Sequence, residues 1–255
     1  MLIATWNVNS VRTRLPQIKN LLKELGPDLL CLQETKVQDQ FFPKEDLLDF
    51  GYNVYFQGQK SYNGVALISP FPLEDVRLGF EGELENSSEI NFLLEQKRVI
   101  SALCQGIRIV NVYVPNGSSL NSTKYDYKTT WLKYLERYIQ KQQLRTEPLC
   151  LVGDFNIALE DNDIHNPKKL SGGIMASKQE RELLKNILSN NLQDAFRMFE
   201  EETNHWSWWD YRSKGWEADR GWRIDHIYLS EELQNQAKSC YIMKEVRGNL
   251  QPSDH

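Results

Sequence analysis

The sequence predicts an α/β fold, in which β-sheets form most of the core and amphipathic helices pack against them. Short apolar segments with alternating or β-branched residues recur along the chain and are typical of strands. They are "LIATW", "DLLCLQ", "NVYFQ", "GVALIS", "RVISALC", "IRIVNVYV", "LCLVGD" and "IDHIYL". Residues 15–25 and the segments "YDYKTTWLKYLERYIQKQ" and "SKQERELLKNILSNN" instead repeat apolar residues at helical spacing. Each helix has one apolar face, so each is expected to pack on a sheet.

The length and composition of the chain favour a single folded domain. The sequence has 255 residues, of which 40% are hydrophobic, and this is enough for a substantial core. No Gly-, Ser- or Pro-rich linker marks a boundary, so we expect one continuous catalytic domain over residues 1–255. The acidic stretch "LGFEGELENSSEINFLLEQ" is predicted to be a loop.

Several function classes are disfavoured by the composition. No apolar run approaches the ~18 residues of a membrane span, and "MLIATWNVNS" lacks the features of a secretory signal, so we expect a cytoplasmic protein without a membrane partner. The net charge of −5 weakens the case for a nucleic-acid partner without excluding it, because a metal ion can supply local positive charge. Four widely spaced cysteines are expected to be free, mostly buried thiols: Cys31, Cys104, Cys150 and Cys240.

Polar side chains follow several predicted strands, where a buried strand emerges and a side chain can face a cleft. Four of them, Asn7, Glu34, Asp154 and Asn156, stand at strand exits. The set is completed by Asp225, which opens "IDHIYL", and by Asp254 and His255 at the end of the sequence. Any one of them is typical of a turn, but separate turns explain the whole set poorly. Carboxylate and carboxamide oxygens favour Mg²⁺ or Mn²⁺. A histidine held by a carboxylate can donate to a phosphate or transfer a proton, so the set indicates hydrolysis of a phosphoester.

Six segments keep an order that is found in a known family. They are "TWNVNSVRTR", "LLCLQETK", "NVYVPNG", "LVGDFNIA", "SWWDYRSKGWEADRGWRIDHIYLS" and the closing "SDH". In this order the sequence resembles the exonuclease III-type abasic-site endonucleases, within the endonuclease/exonuclease/phosphatase superfamily. The resemblance implies a four-layer α/β sandwich of two packed, mostly antiparallel or mixed β-sheets flanked by helices. The active site would lie at one edge, where strand-end loops converge.

The resemblance also implies metal ligands, with Mg²⁺ the expected ion and Mn²⁺ the alternative. Glu34 would be the main ligand, and Asp254 a second acidic group on or near the metal. Asn9 stands where some relatives have an Asp close to the metal. Because an amide lacks the negative charge of a carboxylate, Asn9 favours one metal ion over two.

Catalytic roles follow from the same resemblance. Asp154 and Asn156 would position or activate the attacking water, and Asn7 would hold Asp154 by a hydrogen bond. His255, oriented by Asp225, would stabilise charge on the phosphoryl oxygens. The sequence leaves open whether the histidine or Asp154 transfers the decisive proton.

Further residues would contact DNA. Tyr113 and Asn116 would contact the scissile phosphate. Trp208, Trp222 and Ile224 would line a pocket for a flipped-out abasic sugar, too narrow for an intact base. Basic residues would lie near the DNA backbone; these are Arg12, Arg98, Lys124, Lys128 and Arg220.

The function expected from the resemblance is DNA repair. The enzyme would cut the phosphodiester 5′ to an abasic site in duplex DNA, as a monomer, with 3′→5′ exonuclease and 3′-phosphodiesterase activity on damaged 3′ ends. The alternatives are a phosphatase for phosphoinositides or other small phosphoesters, and a DNA-binding protein without catalysis. The aromatic and basic segment "GWEADRGWRID" favours DNA, and the intact set of strand-end residues favours catalysis.

The last two residues, Asp254 and His255, lead to a separate expectation. Members of the family continue beyond this histidine into an apolar closing strand. A natural terminus here would place an α-carboxylate against the phosphate site and oppose the role of the imidazole. We therefore expect the sequence to be a truncated form of a longer chain.

Overall fold

The computed structural model describes residues 1–80, 92–93 and 95–255. Two mixed β-sheets, of four and six strands, are flanked by helices, which confirms the predicted fold class. The chain divides into two compact units, Met1–Tyr113 with Leu149–Gly153 and Val114–Pro148 with Asp154–His255. The single catalytic domain expected from the sequence stays a prediction. Most of the acidic stretch predicted as a loop, residues 81–91, lies outside the described residues.

The first unit contains the four-stranded sheet and four strands of the larger sheet. Its strands are β1 Ile3–Asn7, β2 Leu29–Gln33, β3 Asn53–Gln57, β4 Val65–Ser69, β5 Glu74–Leu78, β6 Val99–Cys104, β7 Ile107–Tyr113 and β8 Leu149–Asp154, whose last residue belongs to the second unit. The orders are β1-β2-β4-β3 and β5-β6-β7-β8. Strands β1 and β2 are parallel, whereas β4 pairs antiparallel with both of its neighbours. The helices are α1 Val11–Leu25 and α2 Lys44–Leu48, with a 3₁₀ turn at Asp39–Phe41.

The second unit contains most of the remaining helices and the last two strands. Its elements are α3 Thr123–Gln143, α4 Pro167–Leu170, α5 Lys178–Leu188, β9 Leu192–Asp194, β10 Asp225–Ser230 and α6 Glu231–Gln234, with 3₁₀ turns at Asp161–Asp163 and Lys244–Gly248. Strands β9 and β10 of the larger sheet pair antiparallel. Ser177 caps the N-terminus of α5, and the Glu180 side chain completes the capping box.

The strands form where the sequence offers continuous apolar runs. Every residue of β2, β4 and β8 is buried, as expected for strands covered on both faces. All eight predicted strands are present, each within one residue of its expected ends, and the three predicted helices are α1, α3 and α5. Strands β5 and β9 were not predicted, because β5 is mostly charged and β9 has three residues.

Two simpler expectations can also be compared with the structure. In the part of the chain that is described, no helix is long and apolar enough to span a bilayer. The four cysteines are free, and Cys31, Cys104 and Cys150 are buried, so the prediction of free thiols is confirmed.

A buried network of ion pairs anchors the start of β10 within the second unit. Arg223 Nε lies 2.8 Å from Asp163 Oδ1, and Arg223 Nη2 lies 2.7 Å from Asp194 Oδ2. Arg197 also contacts the Asp163 carboxylate, at 2.7 Å. Burial raises the pKa of Asp163, but the two guanidinium groups more than offset this and lower the pKa to about 2. The start of the strand that carries Asp225 is therefore held by buried ion pairs to Asp163 and Asp194.

We expect the free energy of unfolding to decrease at low pH as Asp163 becomes protonated. Its pKa is 3.8 when unperturbed and about 2 when folded, so its contribution is present above pH 3.8 and is lost as the pH falls toward 2. By linkage this contribution is about 2 kcal/mol at neutral pH. In urea titrations between pH 2 and pH 6, Asp163→Asn should therefore be less stable than the wild type by an amount that shrinks with acid. A difference that does not vary with pH would contradict this expectation.

Candidate active site

The ends of β1 and β2 bring two predicted site residues together in the first unit. The strands are parallel with Asn7 opposite Gln33, so Glu34 leaves the sheet at the edge where β1 ends. Asn7 Nδ2 donates a hydrogen bond to Glu34 Oε1 at 2.8 Å. The amide thus fixes the carboxylate that was expected to bind metal, while the expected bond from Asn7 to Asp154 stays a prediction.

A lysine ammonium lies among the oxygens that were expected to hold a cation. Lys36 Nζ is 2.7 Å from Glu34 Oε2 and 2.5 Å from Asn9 Oδ1. Carboxylate and carboxamide oxygens are the hard ligands that Mg²⁺ prefers. Their convergence on Lys36 shows that these oxygens accept a positive group, and their chemistry fits a divalent ion. Lys36 was not singled out from the sequence, although it belongs to the quoted "LLCLQETK".

The backbone of this cluster adopts an uncommon conformation. Asn9, Glu34 and Lys36 have φ values of 44°, 51° and 54°, in the left-handed region that residues other than Gly seldom occupy. A backbone hydrogen bond of 2.8 Å from Ser10 N to the Glu34 carbonyl holds the two loops together. Strained backbone of this kind is typical of functional sites.

Tyr113, the last residue of β7, packs against one of the predicted DNA-binding residues. The Arg98 guanidinium carbon lies 4.6 Å from the centre of the Tyr113 ring, in a cation–π arrangement. Arg98 Nη1 also donates to the Tyr113 carbonyl at 3.2 Å. Arg98 therefore orients the tyrosine, and its expected contact with DNA stays a prediction.

In the second unit, the Asp154 carboxylate is buried and held by its neighbours. Asn156 donates to it twice, from its backbone N–H at 2.8 Å and from its side-chain amide at 3.2 Å. Asn116 Nδ2 donates to Asn156 Oδ1 at 2.9 Å, so three predicted site residues form one hydrogen-bonded row. Asn156 has φ 49°, a conformation that Asn tolerates better than most residues.

His255 lies between two carboxylates. Its Nδ1 is 2.8 Å from Asp225 Oδ2, and its Nε2 is 3.8 Å from Asp154 Oδ2. The Asp225 carboxylate accepts the Nδ1 proton, which leaves Nε2 facing Asp154. Burial lowers the pKa of the imidazole, but the carboxylates, Asp225 and Asp154 foremost, raise it to about 10. The predicted pairing of His255 with Asp225 is thus present in the structure.

Ser207 is a residue at this site that the sequence did not reveal. Its hydroxyl donates to Asp225 Oδ2 at 2.6 Å and accepts the backbone N–H groups of Ile224 and Asp225, each at 3.0 Å. It therefore holds the carboxylate that orients His255. A lone serine in the quoted "SWWDYRS" carries no periodic or spacing signal, so only the fold could identify it.

The three residues predicted to line a sugar pocket pack together. Trp222 and Ile224 belong to one apolar cluster, and Trp208 is partly buried against it. Trp208 and Trp222 exchange two backbone hydrogen bonds of 2.9 Å. Trp208 Nε1 donates to Asp254 Oδ2 at 3.0 Å, so this acid is tied to the aromatic group, and its role on the metal stays a prediction.

The prediction that Lys128 contacts DNA is wrong, whereas three of the other basic residues remain candidates. Arg12, Lys124 and Arg220 are exposed and available to a phosphate backbone. Lys128, by contrast, is fully buried and ion-paired with Glu180 at 2.5 Å, so it cannot contact DNA. Its charge is used inside the second unit.

The other tryptophans around Trp208 and Trp222 take part in packing within the protein. Trp206 and Trp209 are buried. Lys244 lies over the rings of Trp209 and Trp216, and Arg247 lies over Trp216, so cations of the chain itself occupy these faces. The aromatic faces that remain for a ligand are fewer than the sequence suggested.

The chain matches the Endonuclease/Exonuclease/phosphatase family over residues 4–255 and belongs to it. Exodeoxyribonuclease III of Haemophilus influenzae is 33% identical, over 100% of this chain and 97% of that protein. The resemblance noted from the sequence is therefore confirmed.

Solved structures agree with this family. A 3′ phosphatase from Neisseria, bound to a product DNA hairpin, is 38% identical with a TM-score of 0.94, over 100% of this chain and 96% of that one. An AP endonuclease from Archaeoglobus fulgidus is 37% identical with a TM-score of 0.91, over the same shares of the two chains.

We expect Ser207→Ala to loosen the Asp225–His255 pair and to destabilise the fold. The substitution leaves two backbone N–H groups without their acceptor and removes one of the two donors to Asp225 Oδ2, which costs about 1–3 kcal/mol. Urea titration should show this loss, and the downfield Nδ1–H signal of His255 should weaken in proton NMR spectra. Ser207→Thr keeps the hydroxyl and is the matched control. Unchanged stability and an unchanged signal in Ser207→Ala would disprove the role given to this hydroxyl.

Proposed function

We propose that this protein is a metal-dependent DNA repair nuclease that cuts the phosphodiester 5′ to an abasic site in duplex DNA. We further propose 3′→5′ exonuclease and 3′-phosphodiesterase activity on damaged 3′ ends. The family and the whole-length relatives support a hydrolytic nuclease that acts on DNA. The proposal goes beyond this support in naming Mg²⁺ as the metal and abasic sites as the substrate.

The observation that carries the proposal is the row of Asp225, His255 and Asp154 in the second unit. An imidazole held by one carboxylate faces a second carboxylate, which is itself fixed by two hydrogen bonds from Asn156. Such a row provides a fixed acceptor for a water proton and a donor for a phosphoryl oxygen, and in-line hydrolysis of a phosphodiester requires both.

Each residue then has a distinct task in the reaction. Asp154 and Asn156 orient the attacking water, and the Nε2–H of His255 donates to a phosphoryl oxygen. The side chains of Asn116 and Tyr113 bind the scissile phosphate. Because the groups of the second unit are fixed by one another before the substrate arrives, they need little reorganisation at the moment of reaction.

Glu34 and Asn9 are the residues that would hold the metal. Their oxygens already converge on the Lys36 ammonium, which supports a cation at this place. A bound Mg²⁺ supplies positive charge that offsets the charge developing on the phosphate.

The alternatives predict different substrates or no turnover. A phosphatase for phosphoinositides would need polar groups around a small headgroup, whereas Trp208 and Trp222 pack in one apolar cluster, which favours contact with a base-free sugar. A DNA-binding protein without catalysis would not need the Asp225–His255 pair.

The direct test uses duplex DNA with one tetrahydrofuran abasic analogue. Pure protein with Mg²⁺ should give a single product cut on the 5′ side of the analogue, and excess EDTA should stop the reaction. The same duplex without the analogue, and a soluble phosphoinositide, serve as controls. No metal-dependent incision would refute the proposal, and faster turnover of the phosphoinositide would favour the phosphatase.

Asp154→Asn distinguishes an enzyme from a binding protein. The substitution keeps the shape of the side chain but removes the charged acceptor for the water proton. We expect incision to fall roughly 1000-fold or more, with a Kd for abasic duplex that changes little in a fluorescence anisotropy titration. Residual incision near the wild-type rate would exclude the role given to Asp154.

A further inference from the structure

A fully buried ion pair joins two helices of the second unit. Lys128 Nζ on α3 lies 2.5 Å from Glu180 Oε1 on α5, and neither side chain is exposed. Removing two charges from water is costly, and well-packed apolar side chains would often serve stability equally well. The pair therefore calls for an explanation other than stability.

The ammonium of Lys128 uses its remaining hydrogen bonds on the backbone of two site residues. It donates to the carbonyl oxygen of Asn156 at 2.8 Å and to that of Asn116 at 3.2 Å. An ammonium has three N–H donors, and Glu180 accepts the third. The group is thus saturated, and two of its three partners belong to residues proposed to act on the water and the phosphate.

Glu180 in turn is fixed by the segment before α5. Its Oε2 accepts from Ser177 N at 3.0 Å and from Ser177 Oγ at 2.6 Å. Its Oε1 also accepts from Met175 N at 3.1 Å. The carboxylate is therefore rigid, and it holds the ammonium at a fixed point between three loops.

The backbone of Asn156 has a particular need for this anchor. With φ 49°, it lies in the left-handed region, which is locally unfavourable for a residue with a side chain. Both of its polar side-chain groups are engaged, with Asp154 and Val114 as acceptors and Asn116 as donor. A small rotation of the Asn156 peptide would misalign all three bonds.

We propose that Lys128 is a positioning residue for the reaction: it fixes the backbone at Asn116 and Asn156 so that their side-chain amides stay aligned with the substrate. The inference rests on the proposed function, because it concerns the geometry of the same site. Burial lowers the pKa of Lys128, and the Glu180 carboxylate opposes this by stabilising the ammonium. Glu180 thereby preserves the charge that makes these hydrogen bonds strong.

The test compares Lys128→Met with Lys133→Met in the incision assay on abasic duplex. Methionine removes the ammonium but keeps an unbranched side chain of similar length, and Lys133 is an exposed residue of the same helix. We expect Lys128→Met to lower kcat by about 10- to 100-fold, the usual cost of misplaced catalytic groups, with KM for the duplex little changed. Lys133→Met should match the wild type.

A double variant separates positioning from folding. Lys128→Met alone leaves the Glu180 carboxylate buried without its cation and is expected to lower the melting temperature. Lys128→Met with Glu180→Gln removes that charge but keeps an oxygen for Ser177, so thermal stability should largely recover. If Lys128 positions the site, kcat stays low in the double variant. If kcat recovers together with stability, Lys128 serves only folding and the inference is wrong.

The outcomes also distinguish this inference from the proposed function. A wild-type protein without metal-dependent incision would remove the proposed function itself. Wild-type incision with an unchanged kcat in both Lys128 variants would leave that function intact and overturn the positioning role alone. A variant that raises KM while kcat is preserved would likewise contradict positioning, because it would indicate that Lys128 acts through substrate binding.

Discussion

A carboxylate buried at the end of an entirely buried strand is the constraint on which the second unit depends. Asp154 closes β8 and is only 1% exposed, so it must obtain from the protein the hydrogen bonds that water would provide. Asn156 supplies two of them, and the His255 imidazole lies 3.8 Å from the same carboxylate as its ion-pair partner. Each of these two residues must then be held in place in turn. Asp225 and Ser207 hold the imidazole, and Lys128 holds the Asn156 backbone. The arrangement proposed to be catalytic is therefore a series of interactions in which each residue holds the next, beginning with one buried carboxylate.

The first unit also contains a carboxylate removed in part from water, but its surroundings are different. The Glu34 side chain is 17% exposed, so its carboxylate retains some access to water and to ions. Asn7 donates one amide hydrogen bond to it, and the ammonium of Lys36, at the end of a flexible side chain, forms its ion pair. A partly exposed carboxylate next to a lysine suits the proposed metal ligand, whereas the buried Asp154 has partners that suit a fixed geometry. The two acids thus differ in their surroundings as their proposed tasks require.

Burial explains which parts of the molecule could be predicted from the sequence. Continuous apolar runs identify the strands β2, β4 and β8, and the polar residues that follow strands identify most of the candidate site. Strand β5 escapes prediction because its side chains face solvent and carry charge. Ser207 acts on Asp225 and Glu180 acts on Lys128, both of them distant in sequence, and no local pattern reports these two pairings. Lys128 is instructive, since it lies three residues after Tyr125 on the buried face of α3, where helical periodicity outweighs its charge.

The left-handed backbone at Asn9, Glu34, Lys36 and Asn156 sets a limit on how this protein can be improved. Glycine would relieve the torsional cost at each of these positions, but it would remove the functional atoms. Two of the four are Asn, which tolerates this conformation and still offers a polar group. Glu34 has no such compromise, because its charge cannot be supplied by an amide. Selection for thermostability alone would therefore favour replacement of these residues and loss of the site. Stabilising substitutions are better placed in the sheets than in these loops.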